Sequence, residues 1–437
     1  MTTLGGTTGS IYAYCKYPTF NFSGLSTGTT YYFVTTVTDS LGVETTSAAI
    51  AATTDSFTVV EIGEDGSATA GDAIQAEDFS ELTIGGLVGV SFDPITCCYN
   101  YGAITLSSES TIRGGVAGIV AFGEVSDDSS ITKCVNYGTI TFTHSAIDGA
   151  TVNLNRHWVA GIVGNPAGGV TYCDNYGSIN GYAKSSTGSA YSTKEYIIGV
   201  AGVVGGDYGT SSQSNANVHY CNNYGNIIAH NDASGSNSVV GGVVSWLSVE
   251  GAGLTTTVEN CTNSGSITLY GAGKARVGGV VGGTGHIIGW TNTGDITIES
   301  TASTSVVGAI QGMHTIASHR FEDNVAKCNI TTKCDVDGLS GLIGNLGSYT
   351  NSVTFTGNNT NCTITDESGT NDSTITGLIV GKFNGTKTCT FGTSDAPIKV
   401  AGSVLGTAIT ADNYSDYLSG TTNASGNHVI YAEYYSE

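Results

Sequence analysis

Proline is nearly absent, with 4 residues in 437, and basic residues are few, with 14 Lys and Arg in all. So little proline, without strict Gly-X-Y spacing, excludes a collagen-like triple helix. So few cations against 36 Asp and Glu leave a formal net charge of −22. That balance excludes nucleic acid and anionic membrane as partners, because both need Lys and Arg to neutralise phosphate. Charged residues make up only 11% of the chain while 39% are hydrophobic. Disorder goes with high charge and low hydrophobicity, so this chain is expected to fold. Long apolar runs are missing too: the most apolar stretch, Ile197 to Val204, is broken by Gly199 and Gly202, and a transmembrane helix needs roughly 18 apolar residues. The start, Met1-Thr2-Thr3-Leu4-Gly5, has no basic segment and no apolar segment. No signal peptide is therefore expected, which fits a mature or truncated chain or a cytosolic one. The 11 cysteines form no C-x-x-C, so zinc spacing is absent, and an odd number leaves at least one unpaired within the chain.

What is present in excess is glycine, 63 residues, and it recurs in register. The pattern C-x-N-x-G-x-I appears at Cys98 to Ile104, Cys134 to Ile140, Cys173 to Ile179, Cys221 to Ile227 and Cys261 to Ile267. A sixth copy, Trp290 to Ile296, puts Trp where Cys stood. Before each copy stands Gly-aliphatic-aliphatic, opening at Gly86, Gly118, Gly161, Gly202, Gly242 and Gly279, with degenerate copies at Gly308, Gly341 and Gly377. These glycines lie 29 to 43 residues apart. Nine units therefore span roughly residues 82 to 400, with variable loops between fixed parts.

Short strands rich in β-branched residues, repeated with variable loops, predict an all-β fold. The expectation is a right-handed parallel β-solenoid (β-helix) of about nine repeats. Equivalent positions would stack about 4.8 Å apart. Cys98, Cys134, Cys173, Cys221 and Cys261 are then expected to form a buried ladder of free thiols. Asn100, Asn136, Asn175, Asn223, Asn263 and Asn292 would form a second ladder, bonded amide to amide and tolerant of a left-handed bend. The following glycine is expected to supply a positive φ at a coil corner. The Gly-aliphatic signature is expected to let sheet faces approach closely.

The combination of G-G-[LVI]-V-G with C-x-N-x-G-x-[IV] resembles the GLUG-type repeat of bacterial cell-surface proteins, frequent in gut Bacteroidetes. The resemblance covers about three quarters of the chain. It implies a secreted or surface-anchored protein, adhesin-like or glycan-facing, with immunoglobulin-like or fibronectin-like modules beside the repeats. Phe22 to Val34, containing Leu25-Ser26-Thr27-Gly28-Thr29-Thr30-Tyr31, is similar to the L-x-x-G-T-x-Y stretch of fibronectin type III domains. A hairpin would follow over Val37 to Val43. The resulting division is 1–57, a partial fibronectin type III- or immunoglobulin-like segment; 58–81, an acidic junction; 82–401, the solenoid; and 402–437, a tyrosine-bearing C-terminal cap over strand edges that would otherwise aggregate.

Catalytic motifs are sparse. The one G-x-S-x-G, Gly24 to Gly28, falls in the fibronectin-like turn and not on a strand-to-helix elbow. The Gly282 to Gly285 run lacks the Gly-Lys-Ser/Thr of a phosphate loop. Eight His lack ligand spacing and are expected mostly in loops or on the surface. No catalytic residue is assigned. Acidic residues crowd the junction, and Glu64, Asp65, Asp72, Glu77 and Asp78 are the candidate ligands of a calcium ion, against the alternative of plain solvated charge. Smaller acidic groups are Glu124, Asp127 and Asp128, and Asp335 with Asp337. The candidate binding feature is Tyr101, Tyr137, Tyr176 and Tyr224, which hold one register in four units and should face away from the Cys/Ile ladder. Stacked rings there would form an aromatic strip suited to sugar or protein contact, or serve only to stabilise the outer sheet face.

The expectation is a non-catalytic extracellular surface protein without a cofactor, calcium apart, contacting a host or microbial glycan or a surface protein. The alternatives are a β-helix polysaccharide-degrading lyase or glycosidase, and a phage tail-spike or fibre protein.

Overall fold

No strand of this sequence buries both of its faces alone; a neighbour must stack above and below it. In the computed structural model they do. The structure describes residues 82–91, 93–108, 114–123, 131–145, 157–166, 168–184, 198–206, 217–232, 237–247, 257–283, 286–314, 320–347, 354–384, 389–420 and 428–436, and before them only the backbone of short strands. Four sheets run the length of the molecule, and successive coils pair in parallel. The chain is an all-β parallel solenoid, as expected.

The first sheet has nine strands, from Leu82–Gly85 to Thr376–Gly377. The second follows it within each coil, in a run of five strands from Val88–Ser91 to Val244–Trp246 and a run of three from Gln311–His314 to Val380–Phe383. Bridges at Val281 connect the two runs. The third has ten strands, from Ile95–Thr96 to Val429–Ile430. The fourth carries two strands in most coils, first Tyr99–Asn100 and Ala103–Ser108. It also reaches back to Ser67–Thr69, which pairs in parallel with Ala103 to Thr105. Farther upstream, Thr36–Thr38 and Glu44–Thr46 pair antiparallel, flanking the expected hairpin turn.

The core is a set of columns. Ile104, Ile140, Ile179, Ile227, Ile267, Ile296, Ile330 and Ile364 stand in one register and are buried, each worth about 1.5–3 kcal/mol of removed apolar surface. Cys134, Cys173, Cys221 and Cys261 form the expected buried ladder above the half-buried Cys98. The Cys134 and Cys221 amides each donate to the next coil's sulfur at 3.4 Å. All ten described cysteines are free thiols. Neighbouring thiols and burial push Cys134 up, and burial pushes up Cys173 and Cys221, so these three remain protonated and poor as nucleophiles or metal ligands.

The asparagine column is the most connected. Asn100 donates from Nδ2 to Asn136 Oδ1 at 2.7 Å, and the relay continues through Asn175, Asn223 and Asn263 to Asn292 at 2.7–2.8 Å. Each Nδ2 also donates to the carbonyl of the glycine two residues on, at 2.8–3.2 Å. Glycines wall the ladder on both sides. A Cβ at Gly118 or Gly161 would stand 2.3 Å from the Oδ1 of Asn136 or Asn175. One at Gly138 would stand 1.8 Å from the Gly102 carbonyl oxygen and 2.8 Å from Asn100 Nδ2.

Two details differ from the sequence expectation. The left-handed corner is not at the glycine of N-x-G but one residue before the Cys column: Cys97, Lys133, Tyr172, Tyr220, Asn260 and Asp323 have φ of 54 to 56°, and Gly289 and Gly357 have 70° and 67°. The N-x-G glycines are there for close approach, and their asparagines lie within strands. Next, the degenerate units at Gly308 and Gly377 are out of step by one residue, because Gly308 pairs with Gly278 and Ser340 with Gly377. Elsewhere in the core, Cys328 contacts Cys362, Sγ to Sγ at 3.8 Å.

At the C-terminal end, Leu378 and Ile379 donate to the carbonyls of Tyr417 and Leu418. The Tyr414–Tyr417 3₁₀ turn and the residues after it thus lie along the last strand of the first sheet.

Replacing Asn175 by Ala would strand a donor on Asn136 and an acceptor on Asn223, both buried. The loss is expected to be about 2–4 kcal/mol. Gly161→Ala, forced against Asn175 Oδ1, should cost a similar amount, whereas Thr141→Ala on the outer face should change little. Thermal unfolding of the three variants checks this; equal melting temperatures for Asn175→Ala and Thr141→Ala would contradict it.

Candidate functional site

Alternation along a strand turns successive side chains to opposite faces. With Asn100, Asn136, Asn175 and Asn223 facing in, the next residues face out, and parallel register places Tyr101, Tyr137, Tyr176 and Tyr224 in one column. Their rings stack with centroids 4.9, 5.1 and 4.6 Å apart and planes within 3–13°. They are 70, 43, 46 and 44% exposed. The four residues therefore come together as an open aromatic strip. Tyr99 stands beside Tyr101, with centroids 6.5 Å apart.

A second aromatic column lies at the left-handed corner. Tyr172 and Tyr220 stack at 4.9 Å and 5°, both exposed. The signal for it was one residue outside the repeat motif, in the Tyr-Cys-x-Asn-Tyr of two successive units. A third file, Tyr182, His230 and Tyr270, is looser, with centroids about 6 Å apart. Between the first two columns, Asn222 donates to Asp174 Oδ1 at 2.8 Å. Loss of solvent, then the charge of Asp174, raise the Tyr176 and Tyr224 phenols above their ordinary value, so both remain neutral hydroxyls at physiological pH.

Both columns stop at the same level. In the next coil Asn260 follows Tyr220 and Ser264 follows Tyr224; one coil on stand Gly289 and Thr293. Thr293 donates to the Ser264 hydroxyl at 3.2 Å.

The other candidates are placed less centrally. Glu64, Asp65, Asp72, Glu77 and Asp78, the expected calcium ligands, lie outside the described residues, as do Glu124, Asp127, Asp128 and the Gly24 to Gly28 motif. Asp337 is ion-paired with Lys382 at 2.5 Å. Gly283 packs against the Trp246 ring. No group of three or more His, Cys, Asp or Glu that could hold a metal occurs among the described residues.

Three histidines depart from the expectation of a mostly loop or surface setting. His144, His157 and His314 are buried, because they occupy inward positions of their strands. His144 and His157 lie 4.4 Å apart, ring to ring, with Phe142 at 5.2 Å from His157. Neither nitrogen of His157 has a hydrogen-bond partner. Burial, then the proximity of His144, hold the His157 pKa well below its ordinary value.

No family model matches the chain, nor does any curated protein or solved structure. No helix among the described residues is long and apolar enough to cross a membrane.

The buried His157 makes stability depend on pH. Above about pH 6.5 it is neutral in both folded and unfolded chains and contributes no slope. Below that, the unfolded chain takes up a proton that the folded chain refuses, so stability falls as pH falls. The ceiling for one site is about 1.4 kcal/mol per pH unit. Denaturant midpoints at pH 7.5 and pH 5.5 should therefore converge in His157→Phe relative to the unaltered chain; equal shifts in both would contradict this assignment.

Proposed function

We propose that the protein is a non-catalytic extracellular surface protein that contacts a glycan through the tyrosine face of its solenoid. The observation that carries this reading is the pair of exposed, stacked tyrosine columns on a sheet held rigid by the ladder beneath. Tyrosine combines an apolar ring with a polar tip, which suits a sugar's C–H faces and hydroxyls together. The net charge of −22 favours an uncharged ligand over a polyanion. The resemblance to surface-protein repeats supports the extracellular placement and a bacterial source.

Screening the full chain against an array of host and microbial glycans tests this. Binding is expected to a neutral glycan, insensitive to salt between 50 and 500 mM, and to drop at least about tenfold, or 1.4 kcal/mol, when Tyr101, Tyr137, Tyr176 and Tyr224 are all changed to Ala. Unchanged binding in that variant would contradict the tyrosine face. Release of new reducing ends or unsaturated sugars during incubation would instead identify a polysaccharide-degrading enzyme.

A further inference from the structure

We propose that Cys328 and Cys362 are the two halves of a disulfide that closes as the chain folds in an oxidising compartment. The bond would tie two successive coils together just past the end of the amide relay. The structure holds the pair in its reduced form. The inference goes beyond the proposed function and needs no ligand, and an extracellular setting would supply the oxidising surroundings.

The backbone brings the two residues together. Ala326 pairs with Thr360 and Asn329 with Thr363, so Cys328 and Cys362 stand opposite one another on neighbouring parallel strands. Such strands lie about 4.8 Å apart, inside the roughly 4.4–6.8 Å between Cα atoms that a disulfide spans. The sulfurs already touch, Sγ to Sγ at 3.8 Å, and both residues are buried. No third thiol adjoins the pair in its column, because the same register puts Gly294 before Cys328 and Gly402 after Cys362. Each sulfur therefore has a single neighbour to join.

The hydrogen bonds around the pair survive oxidation. Asn292, the last amide of the relay, donates from Nδ2 to Cys328 Sγ at 3.3 Å. A disulfide sulfur keeps its lone pairs, so that donor would keep its acceptor. The Cys362 thiol contacts the Gly341 carbonyl at a long 3.8 Å, so little is lost with its proton. The ladder thiols differ. Cys134, Cys173, Cys221 and Cys261 each donate at 3.3–3.5 Å to the carbonyl two residues before them, and they are expected to remain free. The place also matters. After Asn292 the amide column passes to Ala326 and Thr360, which do not continue it amide to amide. The disulfide would add a covalent link between those same two coils, and closing a loop of 34 residues restricts the unfolded chain.

The chemistry is thiol–disulfide exchange with an external disulfide, such as that of a thiol oxidase. The Cys328 thiolate attacks one sulfur of that disulfide, forming a mixed disulfide and expelling one thiolate. The Cys362 thiolate then attacks the Cys328 sulfur, forming the Cys328–Cys362 bond and expelling the second. The two protons lost by the cysteines end on the two released thiols, and two electrons pass to the oxidant. Burial of both residues in the finished solenoid closes off the first attack, so the exchange belongs to folding.

Expression of the full chain in the bacterial cytosol and, behind an added secretion signal, in the oxidising periplasm tests this. Each folded product is denatured, alkylated and digested with trypsin and an aspartate-specific protease, which together separate Cys328, Cys334 and Cys362. In the exported chain, mass spectrometry is expected to find Cys328 joined to Cys362 and the other nine of the 11 cysteines alkylated. In the cytosolic chain all should be alkylated. The exported chain should melt several degrees above the cytosolic one; Cys362→Ala should erase that difference and Cys334→Ala should keep it. Cys328 and Cys362 both alkylated in the exported chain, or either one joined to Cys334, to a ladder cysteine or to the oxidant, would overturn the assignment. Oxidised glutathione added to the folded cytosolic chain should leave the pair open for hours; closure there as fast as during export would overturn its formation during folding.

Discussion

The carboxamide of Asn136 accepts from Asn100 below it and donates both to Asn175 above it and to the carbonyl of Gly138 in its own coil. Repeated from Asn100 to Asn292, this arrangement sets the geometry of the solenoid. A buried amide without partners costs about 1–3 kcal/mol, so each coil must present its asparagine at the same height and depth as the last. The two sequence signatures are the two walls of that ladder. Gly118, Gly161, Gly202 and Gly279 leave room for the amide on one side, and Gly138, Gly177, Gly225, Gly265 and Gly294 let each coil come down onto the previous one on the other. The tyrosine column is the outward consequence, since the residue after a fixed inward asparagine must face solvent in every coil.

Where the ladder changes, its walls change with it. After Asn292 the column continues as Ala326 and Thr360. In those coils the facing glycine becomes Ala309 in one and remains Gly341 in the other, where a Cβ would stand 2.4 Å from Thr360 Oγ1. The opposite glycine position is taken by Cys328 and Cys362, which fill the space with two touching thiols. Meanwhile a new amide pair starts in the former cysteine column: Asn324 Nδ2 donates to Asn358 Oδ1 at 2.8 Å. Trp290 stands at the changeover, fully buried, with its indole N–H on the Val258 carbonyl. The tyrosine columns stop earlier, at Tyr224, while the Cys, Asn and Ile columns run on through Cys261, Asn263 and Ile267. Their end is thus a property of the outer surface alone.

Much of this was legible because a repeat states the same constraint many times. Asn, Gly, Cys and Ile at fixed spacing revealed the parallel stacking, the inward ladders and the outward tyrosines. The left-handed corner was not legible, because Cys97, Lys133, Tyr172, Asn260 and Gly289 share a backbone angle and no side-chain chemistry. For the same reason the second tyrosine column went unread. The shift of the amide ladder to Asn324 and Asn358 lay outside the motif, and only the register of the strands reveals it. The burial of His144 and His157 follows from inward strand positions that lie outside the repeat motif. The candidate site was legible as a set of residues but not as a shape: how closely the rings stack depends on the spacing of the coils.

The central claim is that one continuous relay of buried carboxamides holds the coils in register. Selective ¹⁵N labelling of asparagine with side-chain amide hydrogen exchange by NMR tests it directly. The account predicts that the carboxamide protons of Asn136, Asn175, Asn223 and Asn263 exchange orders of magnitude more slowly than those of a free amide and as slowly as the strand backbone around them. Exchange at the rate of solvent-exposed asparagine in the folded protein would contradict it.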